Sequence, residues 1–133
     1  MSESNDKIEY WMEIADYDIE TAKAMLNTGR YLYVGFMCHQ VIEKSLKAII
    51  ARDCVDDEIP PKIHNLQKLA ERAKVFGKMT EEQKVILRKL NPLNVEARYP
   101  EYKKQIAANL NEDTCQELVI ETEGLLCWIK QQL

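Results

Sequence analysis

The segment EARYPEY, which begins at residue 96, places an arginine and two tyrosines next to a proline. The guanidinium group of Arg98 is planar and always charged, so it suits a phosphate or a carboxylate. Tyr99 and Tyr102 carry rings that can stack on a nucleobase, and two lysines follow directly. Aromatic rings with interleaved cations are typical of sites for single nucleotides or flexible strands. The segment therefore predicts a nucleotide or RNA site.

Each of these residues also has a purely structural alternative. Arg98 could equally pair with an acidic neighbour and fix the loop. Tyr99 could fill a gap beside the helices and keep its hydroxyl group in water. Proline disfavours helix in the residue before it, so Pro100 favours an extended backbone at Tyr99.

A second polar group is expected on one face of a predicted helix. It consists of Gln40, Glu43, Lys44 and Lys47. Glu43 precedes Lys47 by four residues, which is the favourable order for an ion pair on a helix. Charged stripes usually face solvent. If this stripe faces a cleft instead, its two lysines would form a phosphate site, and the sequence leaves both alternatives open.

The chain contains two histidines, and both precede Arg98. His39 lies on the inner half of the same predicted helix, which indicates a hydrogen-bonded core histidine. His64 stands where a third helix is expected to start, so it is predicted to cap free backbone amides. RNA cleavage would need an acid–base group and a charge stabiliser, and His64 with Arg98 is the pair to test for it. The sequence alone assigns no catalytic residue.

Helices are expected to position these candidate residues, because apolar residues recur along the chain at three- and four-residue steps. Helices are predicted over about residues 5–27, 31–52, 63–77 and 80–92, and a last one begins after Asn111. Gly29 is predicted to end the first helix in a left-handed conformation, and Thr80 and Asn111 are predicted to cap the last two. The expected inner stripe of the last helix is Cys115, Leu118, Val119, Thr122, Leu125, Leu126 and Ile129. The second helix is apolar over most of its circumference, so it is either central to the bundle or part of a dimer interface. The pattern fails over about residues 92–110, which predicts an irregular loop there.

The predicted fold class is all-α. We expect an antiparallel up-and-down bundle of four to five helices in a single domain over residues 1–133. The formal net charge of −4 argues against a broad basic surface that grips nucleic acid, although a local basic pocket remains possible. The four cysteines show no metal-ligand spacing, and no cofactor or metal is predicted. The polar N-terminus and the lack of a long apolar run predict a cytoplasmic protein without membrane contact.

Four segments resemble a known family when they are taken in order: YWMEIADYDIETAKAML, GRYLYVGFMCHQVIEKSLKAII, IHNLQKL and EARYP. Together they are similar to a minimal HEPN domain, a small prokaryotic helical bundle that is often encoded beside a minimal nucleotidyltransferase. The resemblance covers about residues 10–126. It implies a bundle that dimerises and a function centred on nucleotides or RNA.

Many HEPN proteins are metal-independent ribonucleases that use an arginine, four to six variable residues and a histidine at a dimer interface. No histidine follows Arg98 here, so that motif is absent. In toxin–antitoxin members, a tyrosine shortly after the histidine is adenylylated by the partner enzyme. Tyr99 and Tyr102 do not have that spacing, and the modification is not transferred to them.

The sequence and the resemblance predict a homodimeric HEPN protein that binds nucleotide or RNA. It would be the accessory partner of a nucleotidyltransferase in a toxin–antitoxin-like pair. The predicted binding residues are Arg98, Tyr99, Tyr102, Lys44, Lys47 and Gln40. Two rivals stay open, namely a divergent metal-independent endoribonuclease toxin and a protein-interaction module without a small ligand.

Overall fold

A computed structural model of the chain describes residues 3–53, 63–94 and 100–133. The α-helices in these ranges are α1 (Glu3–Asn27), α2 (Tyr31–Asp53), α3 (Leu66–Arg72), α4 (Glu81–Leu90), α5 (Pro100–Ala108) and α6 (Glu112–Gln131). Short 3-10 helices occupy Phe76–Lys78 and Asn91–Leu93. The described ranges contain no strand, and the predicted all-α class is confirmed.

The first two helices form a tight hairpin because the chain reverses within three residues. Gly29 has a φ of 74°, the left-handed conformation that the sequence predicts for it. The N–H of Arg30 donates to the Met25 carbonyl at 2.8 Å, which closes the end of α1. α1 and α2 therefore lie antiparallel against each other.

α6 runs antiparallel to α1 and parallel to α2. Lys130 Nζ contacts Asp16 Oδ1 at 2.7 Å, and Lys23 Nζ contacts Glu123 Oε2 at 2.7 Å, which fixes the direction against α1. At the far end, Arg52 Nη1 donates to the Gln132 carbonyl at 2.8 Å. The carboxyl ends of α2 and α6 therefore lie side by side.

α2 lies at the centre of the molecule. Its buried residues run almost continuously from Val34 to Ala51, and even Glu43 and Lys47 belong to them. Of the two alternatives for this helix, burial within one chain is the one that the structure confirms. Because α2 is covered on several sides, any polar group on it must find partners inside the protein.

The helix starts and the stripe of α6 follow the sequence prediction closely. Thr80 and Asn111 each form a capping box, with Gln83 and Thr114 respectively. Every residue predicted for the inner stripe of α6 is buried: Cys115, Leu118, Val119, Thr122, Leu125, Leu126 and Ile129.

The prediction of an irregular loop over residues 92–110 is wrong in its second half, where α5 lies. Pro100 is compatible with a first helical turn, which does not use its missing N–H. In the nine residues of α5, Ile106 is buried and Tyr102 is half-buried one turn earlier. So short a helix with so few apolar positions gives little periodicity. Arg98 and Tyr99 lie outside the described residues.

Gly35 allows the segment around α5 to pack closely on α2. A Cβ at this position would lie 3.1 Å from Leu93 Cδ1 and 3.4 Å from Leu110 Cδ1. Leu93 ends the second 3-10 helix, and Leu110 follows α5. The absent side chain thus lets both leucines seat against the central helix.

None of the helices in the described ranges is long and apolar enough to cross a bilayer.

Candidate functional site

A buried carboxylate lies at the centre of the polar residues on α2. Only 1% of Glu43 is exposed. Its Oε2 is 2.9 Å from Lys47 Nζ and 3.6 Å from Lys44 Nζ. His64 reaches the same group from the segment before α3, with Nδ1 3.2 Å from Oε1 and 3.3 Å from Oε2. We call Glu43, Lys44, Lys47 and His64 the ion cluster.

The two histidines are joined, which holds His64 over α2. His39 Nε2 lies 3.1 Å from the His64 carbonyl oxygen, and Gln40 Nε2 lies 3.5 Å from His39 Nδ1. A neutral His39 that donates from Nε2 and accepts at Nδ1 satisfies both contacts. The prediction of a hydrogen-bonded core histidine is confirmed for His39, which is fully buried.

Trp11 of α1 packs against the two lysines of the ion cluster. Lys44 Nζ lies 5.5 Å from the centroid of the indole ring, and Lys47 Nζ lies 5.8 Å from it. Both are cation–π distances. Lys44 also acts on Asp18, since burial raises the pKa of that carboxyl group and the Lys44 charge opposes the rise. The lysines are therefore held by α1 as well as by Glu43.

The electrostatics of the cluster follow from burial and pairing. Burial by itself would raise the pKa of Glu43, but hydrogen bonds from Lys47 and His64, with the Lys47 charge, bring that pKa below its ordinary value. Burial lowers the pKa of His39 to about 4, although the Glu43 charge opposes this. Glu43 is thus ionised and His39 neutral at pH 7.

A polar cavity of about 330 Å³ adjoins the cluster at His64. The residues that line it are His64, Asn65, Asn91, Pro92 and Asn94. The side-chain oxygen of Asn65 accepts from the Lys68 N–H at 3.0 Å. That of Asn91 accepts from the Leu66 N–H at 2.9 Å. Each of these two oxygens already accepts one hydrogen bond, and the amide nitrogens of Asn65 and Asn91 are donors that can bind a ligand.

The cap of α3 differs by one residue from the sequence prediction. The sequence predicts His64 as the cap of this helix, but Asn65 is the N-cap residue. The His64 ring points instead to Glu43, and 58% of its side chain remains exposed. Since Nδ1 faces the carboxylate, Nε2 is the ring nitrogen available to a ligand in the cavity.

The structure brings together some of the predicted binding residues and separates others. Gln40, Lys44 and Lys47 lie in or beside the ion cluster. The alternative in which this stripe faces solvent is wrong for Lys47, which is only 5% exposed. Tyr102 lines a different cavity on α5, and the two cavities share Pro92. Arg98, four residues after Asn94 in the sequence, is outside the described part of the chain.

Reasoning from sequence misses Trp11, Asn65 and Asn91 as site residues. Asn65 has a local indication, because asparagine before an apolar helix is a favoured cap. The partners of Asn91 and Trp11 are distant in the chain, and no local pattern reveals them. In the ranges that the structure describes, no group of three or more histidine, cysteine, aspartate or glutamate side chains could hold a metal ion.

Comparison with known proteins identifies the fold and the family. Residues 8–132 match the family model described as the HEPN domain. The crystal structure of TT1696 from Thermus thermophilus superposes with a TM-score of 0.76, at 18% sequence identity and with 100% of each chain covered. At this identity the likeness shows the fold alone. No curated protein sequence matches the chain.

Glu43→Gln should lower the free energy of unfolding by about 3–5 kcal/mol, because it leaves Lys47 buried without an opposite charge. Urea denaturation measures the loss. The double variant Glu43→Leu with Lys47→Met should recover much of it, since an apolar pair of similar size can replace a buried ion pair. Asp16→Asn, which removes an exposed partner of Lys130, should cost at most about 1 kcal/mol. A Glu43→Gln protein as stable as Asp16→Asn would contradict the structural role of the cluster.

Stability should fall as the pH drops from 7 to 4. The folded state keeps His39 neutral down to about pH 4, whereas an unfolded histidine binds its proton near pH 6.5. The unfolded state therefore holds more protons over this window, and up to about 3 kcal/mol is lost on acidification. Urea unfolding at each pH should show a smaller loss for His39→Gln, which retains an N–H donor. An unchanged pH dependence in that variant would show that His39 is not the titrating group.

Proposed function

Because this chain belongs to the HEPN domain family, we propose that it binds the phosphate of a nucleotide or of an RNA strand. The observation that carries this proposal is the polar cavity beside the ion cluster, where Asn65 and Asn91 use their oxygens to cap α3 and present amide donors to a ligand. A cation would need several oxygen ligands, and these two oxygens already accept backbone hydrogen bonds. An anion with several acceptor oxygens fits this wall better.

His64 lines the cavity, and Glu43 holds its ring there. Its Nδ1 is 3.2 Å from Glu43 Oε1, so Nε2 is the ring nitrogen that a ligand can approach. Glu43 orients the ring without entering the cavity itself.

Lys44 and Arg98 are assigned the remaining charge in this proposal. Lys44 does not line the cavity but lies beside Glu43, with 22% of its side chain exposed, whereas Lys47 is buried and held by Glu43. Arg98 is assigned to the site from its chemistry and from its place in the sequence, between Asn94 and α5. Tyr99 and Tyr102 would pack against base or sugar, and Gln40 would support His39. One cationic side chain from α2 and one from the EARYP segment would thus complete the phosphate site.

The wider assignment comes from the family. We propose that the chain is a single cytoplasmic domain, forms a homodimer and accompanies a nucleotidyltransferase in a toxin–antitoxin-like pair. The resemblance of the EARYP and HQVIEKSLKA segments to HEPN proteins encoded beside such enzymes supports the partnership. A nucleotidyltransferase gene next to the gene for this chain would strengthen it.

The melting temperature of the purified protein, measured with AMP, ATP or a short RNA, tests the binding function. A ligand that binds only the folded state at about 100 times its Kd adds about 2.7 kcal/mol, which raises the melting temperature by several degrees. Asn91→Asp should weaken binding at least tenfold. It keeps the oxygen that accepts from Leu66 but replaces the donor with a negative charge. Arg98→Ala should weaken binding to a similar extent.

Gln116→Glu is the matched control, because it adds the same charge at an exposed position of α6. It should leave binding unchanged. If none of the three ligands shifts the melting temperature, the phosphate site is refuted and the protein-interaction module becomes the better function.

A second function, metal-independent RNA cleavage, is favoured by the contact between His64 and Glu43. A histidine whose Nδ1 is held by a carboxylate and whose Nε2 is open has the arrangement of a general base. The binding function predicts that RNA incubated with the protein and a chelator stays intact. Cleavage that disappears in both His64→Ala and Arg98→Ala, and persists in Gln116→Glu, would establish the enzyme instead.

A further inference from the structure

A second cavity, of about 320 Å³, lies between the 3-10 helix Asn91–Leu93 and α5. Its floor is apolar and consists of Leu93, Ile106 and Leu110. Leu93 and Ile106 are buried, and all three pack against the hydrophobic core. A concave apolar floor with a few polar groups at its rim is the usual form of a small-molecule site.

The rim of this cavity comes from one face of α5. Tyr102, Gln105 and Asn109 follow at intervals of three and four residues, so a helix places them together. Asn109 Nδ2 donates to the Gln105 carbonyl at 3.2 Å, which fixes that side chain and leaves its Oδ1 as an acceptor. Gln105 is exposed and offers an amide with both a donor and an acceptor. A ring and two amides thus surround an apolar floor.

The second cavity is adjacent to the polar cavity, because Pro92 lines both. A nucleotide has the same two-part chemistry, since a charged phosphate and a flat aromatic base are joined by a sugar. A ligand with its phosphate against the asparagine donors can therefore place its base beyond Pro92, against Tyr102 and the apolar floor. Base stacking on an aromatic side chain contributes about 1–3 kcal/mol, whichever base is present.

We infer that this second cavity is the base subsite of the bound nucleotide and that it prefers adenine. The inference rests on the proposed phosphate-binding function. Adenine presents an amino donor beside a ring-nitrogen acceptor, and a glutamine amide pairs with both at once. Asn109 lines the same cavity and keeps Oδ1 as an acceptor, which suits the amino group of adenine and is unfavourable beside a carbonyl group of guanine or uracil. Cytosine also carries an amino group, but its single ring covers less of the floor.

Isothermal titration of the full chain with AMP, CMP, GMP, UMP and ribose 5-phosphate tests the inference. AMP should bind at least tenfold more tightly than ribose 5-phosphate, and CMP should rank second. Gln105→Leu should weaken AMP about tenfold and leave ribose 5-phosphate unchanged, because the variant alters only the base contact. Gln116→Leu, the same substitution at an exposed position of α6, should change neither ligand.

The failures of the two proposals are distinguishable. If AMP and ribose 5-phosphate bind equally well and Gln105→Leu has no effect, the base subsite is overturned and the phosphate site stands. If GMP or UMP binds as tightly as AMP and Gln105→Leu weakens all of them alike, the cavity holds a base but the adenine preference is overturned. If neither AMP nor ribose 5-phosphate binds, the phosphate-binding function fails and the base subsite fails with it.

Discussion

The carboxylate of Glu43 is buried on the central helix α2, and the arrangement of the site depends on how the charge of this carboxylate is balanced. Removing an ion of this size from water costs several kcal/mol even after the protein relaxes. The side chains that offset this cost are Lys47 and Lys44 on α2 and His64 before α3. Trp11 adds α1 to the group, because its ring lies against both ammonium groups. One buried charge therefore fixes three parts of the chain relative to one another.

The same contacts place donor groups around the neighbouring cavity. His64 is held by Glu43 at its ring and by His39 at its carbonyl, and these two contacts tie the start of α3 to α2. Asn65 and Asn91 use their oxygens to satisfy the first N–H groups of α3, and their nitrogens stay available. In the proposed function, helix capping uses the oxygens of these amides and ligand binding uses their nitrogens. A chain with a net charge of −4 would in this way offer a local site for an anion.

How much of this could be predicted from sequence differs between the scaffold and the site. The stripe of α6, the caps at Thr80 and Asn111 and the left-handed Gly29 follow from local rules, and all are confirmed. The contact between Glu43 and His64 joins residues 21 positions apart, and helical spacing carries no information about it. α5 escapes prediction because a short helix with few apolar positions shows no clear period. Periodicity identifies the face that is buried, but it does not identify the partner of a polar group on that face.

Amide chemical-shift mapping during a titration with AMP tests the central claim most directly. The phosphate-binding account predicts that the largest shifts occur at the side-chain NH₂ groups of Asn65 and Asn91 and at Arg98. Smaller shifts should extend along α5. Shifts confined instead to two exposed tyrosines, Tyr17 of α1 and Tyr33 of α2, with the two asparagines unmoved, would contradict it.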